Sequence, residues 1–450
     1  MRSVDVDHKP QPPNFNTQHI RRLLHYNKHG MRGIWSLVIL LSFLYSSSIA
    51  MTTSHCESVD LLPALRTAFP QTQTYEIQRT IPQSNAVGYI VQLDRGSQVF
   101  VKRVHAGDYV HKKEWADLRR TLMYARTEAR FYREFAPLLR QRGFQSIPQS
   151  FTAEYSLEGW ISEDEHSTDP AGTGPDLSNP GDRGGLLVLD CITTHSQASP
   201  LTLDQCRQCL RAAASLHSAA WGDVELLDQA KDRLSQASFH LGTRNPKELR
   251  NIVQAWDHFA SAFSEPLREA GLENIGHLGR RIQPLAETIS RRVSPGPKDA
   301  SATLIHGDYK SMNVFLPVKE GDSAVLVDFA SVGVGLGMSD VAMHLRHAVR
   351  PELLDDDGGE EALVRYYCEQ LNRPDYTFEQ GWKDYQWAVL DYFRFFLGRF
   401  WRSATPESMA KLAPNENTNL INRDVASAMA FVRRVDEFLT ALEAEAPRCE

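Results

Sequence analysis

Short apolar, β-branched runs between about residues 80 and 104 give way to apolar positions recurring every three or four residues over much of the rest, the signatures of strands and of amphipathic helices respectively. Residues 87–93 and 98–104 read as two strands joined by the turn Asp94-Arg95-Gly96-Ser97, and a further strand ends near Ile81. Residues 112–142 predict one long helix, in which Trp115, Leu118, Leu122, Ala125, Ala129 and Tyr132 recur on one face until Gly143 ends it. The stretch 156–185 is rich in Ser, Asp, Glu, Gly and Pro and reads as a disordered loop insertion, after which residues 184–192 predict an apolar strand running into a connector. From Leu203 to Arg292, and again from Val341 onward, the period is helical.

One break in the helical half brings candidate chemistry. Val314-Phe315-Leu316 and Ala324-Val325-Leu326-Val327 are short apolar runs separated by turn formers and charges, the pattern of a hairpin. Asn313 immediately precedes the first strand and Asp328 immediately follows the second. Antiparallel pairing therefore delivers both to one end, where they can share a metal ion. Asp308 lies five residues before Asn313, the interval that protein kinases keep between catalytic Asp and Asn. Phosphoryl transfer needs one carboxylate facing a hydroxyl, and an amide plus a second carboxylate holding magnesium. Asp308 is the candidate base. With an ordinary Asp pKa of about 3.9 its work is mostly positioning. His306 reads as a hydrogen-bonded scaffold residue rather than a proton shuttle.

The same chemistry calls for a strand lysine paired with a helical glutamate. Lys102 sits in the middle of the strand 98–104, where burial is costly unless phosphate oxygens or a carboxylate pair it. The competing reading is an edge-strand lysine facing water. Glu128 lies three and seven residues before Phe131 and Phe135, on the margin of the apolar stripe, so it can point towards Lys102, whereas Glu114 and Glu134 read as solvated. Backbone amides and the Ser84 hydroxyl between the first two strands are candidates to cover phosphates, although no Gly-x-Gly-x-x-Gly is present. Backbone groups of Asp190, Cys191 and Ile192 are candidates to meet adenine.

Together these stretches resemble the small-molecule kinases of the choline kinase and aminoglycoside phosphotransferase superfamily, specifically its CHK kinase-like, or ecdysteroid kinase-like, branch. His306-Gly307-Asp308 with Asn313 is similar to the catalytic loop of that branch, Val327-Asp328-Phe329 to its metal-binding strand end, and Lys102 with Glu128-Ala129-Arg130-Phe131-Tyr132 to its small lobe. Leu216-His217-Ser218-Ala219-Ala220-Trp221 resembles the helix that follows the lobe connector, and the similarity spans about residues 60–440. The resemblance implies an α+β, bilobal protein-kinase-like fold, with a small antiparallel-sheet N-lobe over 56–192 and a large, mainly helical C-lobe over 193–450. It further implies ATP and Mg2+ as co-substrates, with the γ-phosphoryl group passed to a hydroxyl of a sterol-like, amino-alcohol or sugar-derived molecule. Ala330, where relatives carry a polar residue or glycine, and the glycine-poor loop leave open a catalytically inactive nucleotide-binding pseudokinase acting as an interaction module. A protein kinase is disfavoured because no Ala-Pro-Glu element follows Asp328. Near Gly333-Val334-Gly335-Leu336-Gly337, glycines permit close packing before Ser339 or Asp340 caps a helix, with Asp340 a brace rather than a metal ligand.

Composition narrows the remainder. A net charge of −7 over 450 residues argues against a nucleic-acid partner. The basic residues between Lys102 and Arg140 are interleaved with acids and read as a solvated helix face. Cys206 and Cys209 form a C-x-x-C inside a helix opened by a Thr202–Gln205 capping box, with no second pair to complete a zinc site. Within a leader over 1–55, the apolar run Ile34 to Tyr45 followed by small residues to Ala50 reads as a secretory signal. An uncleaved anchor would put the chain on a membrane, and a start at Met51 would leave a cytoplasmic protein. The aromatics from Tyr385 to Trp401 line an acceptor pocket or, the commoner use, pack a core.

Overall fold

The computed structural model describes residues 59–94, 96–165, 174–234, 251–319, 321–355 and 359–445. The signal-like segment 34–50 lies outside them. Among the described residues no helix is long and apolar enough to cross a membrane.

The N-terminal lobe is an antiparallel sheet of five strands: β1 (Tyr75–Pro82), β2 (Val87–Leu93), β3 (Gln98–His105), β4 (Ser150–Ser156) and β5 (Gly184–Asp190), in the order β1-β2-β3-β5-β4. A short helix α1 (Leu62–Ala68) lies against β4 and β5, and the longer α2 (Trp115–Arg130) packs across the same two strands. The helix predicted over 112–142 is thus three pieces. Glu114 takes the N-cap of α2, a π-helical turn spans Phe131–Phe135, and a helix over Ala136–Gln141 follows, with Gly143 at φ +95° closing the run. The π turn was not legible because one extra residue in a turn barely disturbs the apolar period.

The expected disorder over 156–185 does not hold at its two flanks; residues 166–173 lie outside the described set. Leu157 and Ile161 are buried in a small core with Leu118, Leu122 and Met123, and Trp160 packs edge-on to Trp115 with centroids 5.9 Å apart. Two apolar anchors and an aromatic clasp overcome the turn-rich composition.

The C-terminal lobe is mainly helical. Its helices include α3 (Leu203–Ala220), α4 (Val224–Arg233), α5 (Gly337–Ala348), α6 (Gly359–Leu371), α7 (Phe378–Arg399) and α8 (Val425–Glu445). The expected capping box opens α3, with Gln205 N donating to Thr202 Oγ1 at 3.3 Å and Thr202 N to Gln205 Oε1 at 2.9 Å. Cys206 and Cys209 are buried on this helix as free thiols. Tyr385, Tyr392, Phe393 and Phe396 of α7 are fully buried, and Trp401 stacks on Phe259 at 4.3 Å, so these aromatics are core.

Three short strand pairs shape the surface on which the site is built. β7 (Ala302–Ile305) pairs with β10 (Gly333–Leu336), β6 (His195–Ser196) with β8 (Val314–Pro317), and β8 with β9 (Val325–Leu326), all antiparallel. The last is the predicted hairpin. The helix after β10 begins at Gly337 with Leu336 at the N-cap and no side-chain cap. Ser339 and Asp340 therefore lie in its first turn and do not cap it, which frees the Asp340 carboxylate for another use.

Candidate active site

Register places the hairpin residues. Val314 pairs with Leu326, and Val327 N donates to the Asn313 carbonyl at 3.0 Å, so Asn313 stands across from the residue preceding Asp328. Asp328 itself adopts a left-handed backbone (φ 66°, ψ 58°), a conformation that short polar side chains tolerate best after glycine. The turn redirects the chain so that Phe329 enters the core and stacks on Phe131 of the π turn at 4.1 Å. An aromatic stack between the lobes thus follows directly from the strand end.

Lys102 is the centre of the site. Its ammonium lies 2.7 Å from Glu128 Oε2 and 2.7 Å from Asp328 Oδ1. It is buried on the inner sheet and does not face water. Burial alone would lower its pKa, but the two carboxylates outweigh that and hold the ammonium above its usual range. Asp328 responds in kind: burial would raise it, yet Lys102 and then Lys310 hold it at about 2. The lysine is charged and Asp328 ionised throughout the physiological range.

The loop from His306 to Asn313 is held from beneath. Asp340 accepts the His306 amide at 2.7 Å through Oδ2 and the Gly307 amide at 3.0 Å through Oδ1, and His217 Nε2 lies 3.1 Å from Oδ2. The reading of Asp340 as a brace thus has a geometry. Gly307 has φ +77°, and a Cβ there would sit 2.2 Å from the Ser331 carbonyl, so only glycine fits. His306 Nε2 lies 2.9 Å from the Val327 carbonyl and its Nδ1 3.3 Å from the Asp308 amide. Those two bonds occupy both ring nitrogens in scaffold roles.

At the top of this loop Asn313 Nδ2 donates to the Asp308 carbonyl at 2.8 Å and to Asp308 Oδ2 at 3.2 Å. Lys310 Nζ lies 3.1 Å from the same carboxylate, whose field raises the lysine pKa against the lowering effect of burial. Lys310 was missed from sequence. Its signal was its place two residues after Asp308, too ordinary a spacing for a lysine to stand out before its ammonium is seen on that carboxylate.

The remaining predicted residues stand apart from this cluster, in a definite order along β3. Gly88 is opposite Lys102 and Val87 opposite Arg103, so exposed Ser84 lies in the loop just beyond the Arg103 end. Asp190 pairs with Val99, at the other end. The Asp190 amide already donates to the Gln149 carbonyl at 2.9 Å, which removes that N–H as a donor to a base; Cys191 and Ile192 follow it in the connector.

A magnesium ion fits the donors present. The two bonds from Nδ2 fix the Asn313 amide with Oδ1 as the remaining ligand atom, and Asp328 commits only Oδ1 to Lys102. Hard oxygens from one amide and one carboxylate suit Mg2+, which completes its shell with water and phosphate instead of an all-protein cage. Among the described residues no group of three or more His, Cys, Asp or Glu forms such a cage.

A sheet lobe over a helical lobe, a buried lysine–glutamate pair, and an Asp–Asn loop beside a second aspartate define a phosphotransferase of kinase-like architecture. A family model described as the phosphotransferase enzyme family matches residues 83–382. The chain belongs to that family, within the superfamily of ATP-dependent kinases of small-molecule hydroxyls that includes the aminoglycoside and choline kinases. Similar solved structures include a microcompartment-associated aminopropanol kinase (15% identity, 84% of this chain and 98% of that one covered, TM-score 0.43). They also include spectinomycin phosphotransferase with ADP and spectinomycin (14%, 86% and 99%, 0.40), and an aminoglycoside phosphotransferase from Alicyclobacillus acidocaldarius (14%, 82% and 92%, 0.38). No curated protein matches the sequence.

Proposed function

We propose that the chain is an ATP-dependent kinase that phosphorylates a hydroxyl of a sterol-like, amino-alcohol or sugar-derived metabolite, and that it belongs to the CHK kinase-like branch of the superfamily. The observation that carries the reading is the Lys102 ammonium, 2.7 Å from both Glu128 and Asp328. A buried cation clamped by a helix of one lobe and a strand end of the other is placed to meet phosphate oxygens, a use that offsets its desolvation.

The order along β3 supports a nucleotide whose base meets the connector at Cys191 and Ile192 and whose phosphates run past Lys102 towards Ser84. Asn313 and Asp328 would hold Mg2+, which when bound neutralises charge on the transferring phosphoryl group. Asp308 takes the acceptor hydroxyl as a hydrogen-bond donor and fixes its oxygen in line; as that oxygen bonds to the γ-phosphorus, the bond to the β,γ-bridging oxygen breaks, ADP leaves and the proton passes to Asp308. Lys310 adds positive charge beside the Asp308 carboxylate, 3.1 Å away. Asn313 links this loop to the metal side through its bonds to Asp308.

Purified protein with magnesium, γ-labelled ATP and a metabolite extract should yield a labelled small product. Asp308→Asn should lower that turnover by about 10²- to 10⁴-fold. Labelling that survives the substitution contradicts the role of Asp308, and Mg·ATP binding without any transfer would favour an inactive nucleotide-binding module. The apolar run 34–45 supports entry into the secretory pathway, and mass spectrometry of the native N-terminus tests it: residues 1–50 retained on a soluble cytoplasmic protein would exclude that entry.

A further inference from the structure

The face of α2 that points away from Lys102 carries three arginines, all buried: Arg119, Arg126 and Arg130 are 1%, 3% and 0% exposed. At about 100° per residue these three positions form a stripe about 40° wide, with Glu128 about 180° from its centre. Sequence alone reads them as part of a solvated basic face. The structure covers them with the start of the insertion. Arg126 Nη1 donates to the Ser162 carbonyl at 2.7 Å, and its other arm to that of Glu165. Arg119 pairs with the Glu165 carboxylate, and Arg130 with that of Glu163, which also accepts from the Tyr155 hydroxyl at 2.7 Å.

Arg130 reaches further. Its Nε donates to the Tyr155 hydroxyl at 3.0 Å, and its Nη1 to the Arg233 carbonyl at the end of α4 in the large lobe at 2.8 Å. One turn on, Glu134, which sequence reads as solvated, accepts two bonds from the Arg233 guanidinium at 2.8 and 2.9 Å. Burial would raise the Glu134 carboxyl, but the bonds from Arg233 and Arg133 hold it at about 2. The rotation of α2 is thus set from both sides, by Lys102 on one and by the insertion and α4 on the other.

We propose that residues 157–165 are an acidic brace, and that Glu163 and Glu165 are positioning residues that set the Lys102–Glu128 pair by fixing the roll of α2. Arg119 and Arg130 are buried against the Glu165 and Glu163 carboxylates, and a guanidinium is costly to keep buried once its carboxylate is lost; Arg126 is held by backbone carbonyls of the same segment. Loss of the brace charges rolls α2 to return the arginines to water, and the same roll withdraws Glu128 from Lys102. The two glutamates suit a test because their side chains are 57% and 36% exposed, so neutralising them leaves the core filled. The inference rests on the reading of Lys102 as a phosphate ligand.

The test uses the full chain carrying Glu163→Gln and Glu165→Gln together, with hydrogen exchange of α2 and binding of Mg·ATP and of adenosine as readouts. Exchange in α2 should quicken and Mg·ATP binding weaken about tenfold, the worth of one charge-assisted hydrogen bond. Adenosine, which lacks phosphates, should bind as before, and adding Glu128→Gln should cause no further loss. Unchanged exchange, equal weakening of both ligands, or an additive loss with Glu128→Gln would overturn the brace. If the unmodified protein binds no Mg·ATP, the reading of the site fails, and the exchange measurement still decides whether the acids hold the helix.

Discussion

At the residue scale the site is a set of charges that fix one another. Lys102 is shared between Glu128 and Asp328, and Asp308 is shared between Asn313 and Lys310. Lys310 contacts the second group, at Asp308, and reaches Asp328 through its field alone, so its contribution falls mainly on turnover. Replacing Lys310 with glutamine leaves Mg·ATP affinity within about threefold while turnover falls about 10²-fold, the scale of losing one aligned electrostatic donor. Steady-state kinetics on the acceptor found by extract labelling, with direct nucleotide titration, checks this, and an affinity loss matching the rate loss contradicts it. Lys102 and Glu128 were legible because a lysine inside an apolar strand and a glutamate beside an apolar helix stripe are local anomalies. Lys310 was not, because only its contact with Asp308 distinguishes it.

At the element scale, Asp308, Asn313 and Asp328 sit where a strand meets a turn, while Lys102 lies mid-strand in the central β3 and Glu128 in the last turn of α2. The β8–β9 hairpin was readable because its apolar runs and intervening turn formers lie in adjacent sequence. What escaped the sequence depends on pairings between distant segments. Asp340 lies 34 residues after His306, and only the crossing of α5 beneath the loop shows which amides its carboxylate takes. Arg119, Arg126 and Arg130 looked solvated because their partners lie in a stretch whose composition signals disorder. Asp340→Asn puts one amide donor against two backbone donors, so it costs about 2–4 kcal/mol of stability and also lowers turnover. Urea melts beside activity measurements test this. Full activity in a variant destabilised to that extent would show that the loop keeps its shape without the brace.

At the scale of the whole molecule, the bilobal arrangement follows from the change in period along the chain, strands first and helices after, while the join between lobes rests on Phe329 against Phe131 and on Arg130 and Glu134 against Arg233. The large lobe also carries a buried titratable ring. His344 in α5 is fully buried, and burial lowers its pKa to about 4 from the usual 6.5. The unfolded chain takes up this proton first, so the contribution of neutral His344 is complete above about pH 6.5 and is lost as pH falls towards 4. Burial also holds His347 of the same helix well below its usual range, so denaturant melts between pH 7 and 4 should show that decline and His344→Leu should lessen it without removing it; an unchanged pH profile in the variant contradicts the assignment.

The central claim is that Asn313 and Asp328 jointly hold a divalent ion against phosphates gripped by Lys102. Calorimetric titration of ATP with and without magnesium, on the native chain and on Asn313→Ala and Asp328→Asn, tests it most directly. The account predicts that magnesium tightens ATP binding in the native chain, and that either substitution abolishes that gain while adenosine binding stays the same. ATP binding indifferent to magnesium, or a full magnesium gain in both variants, would contradict it.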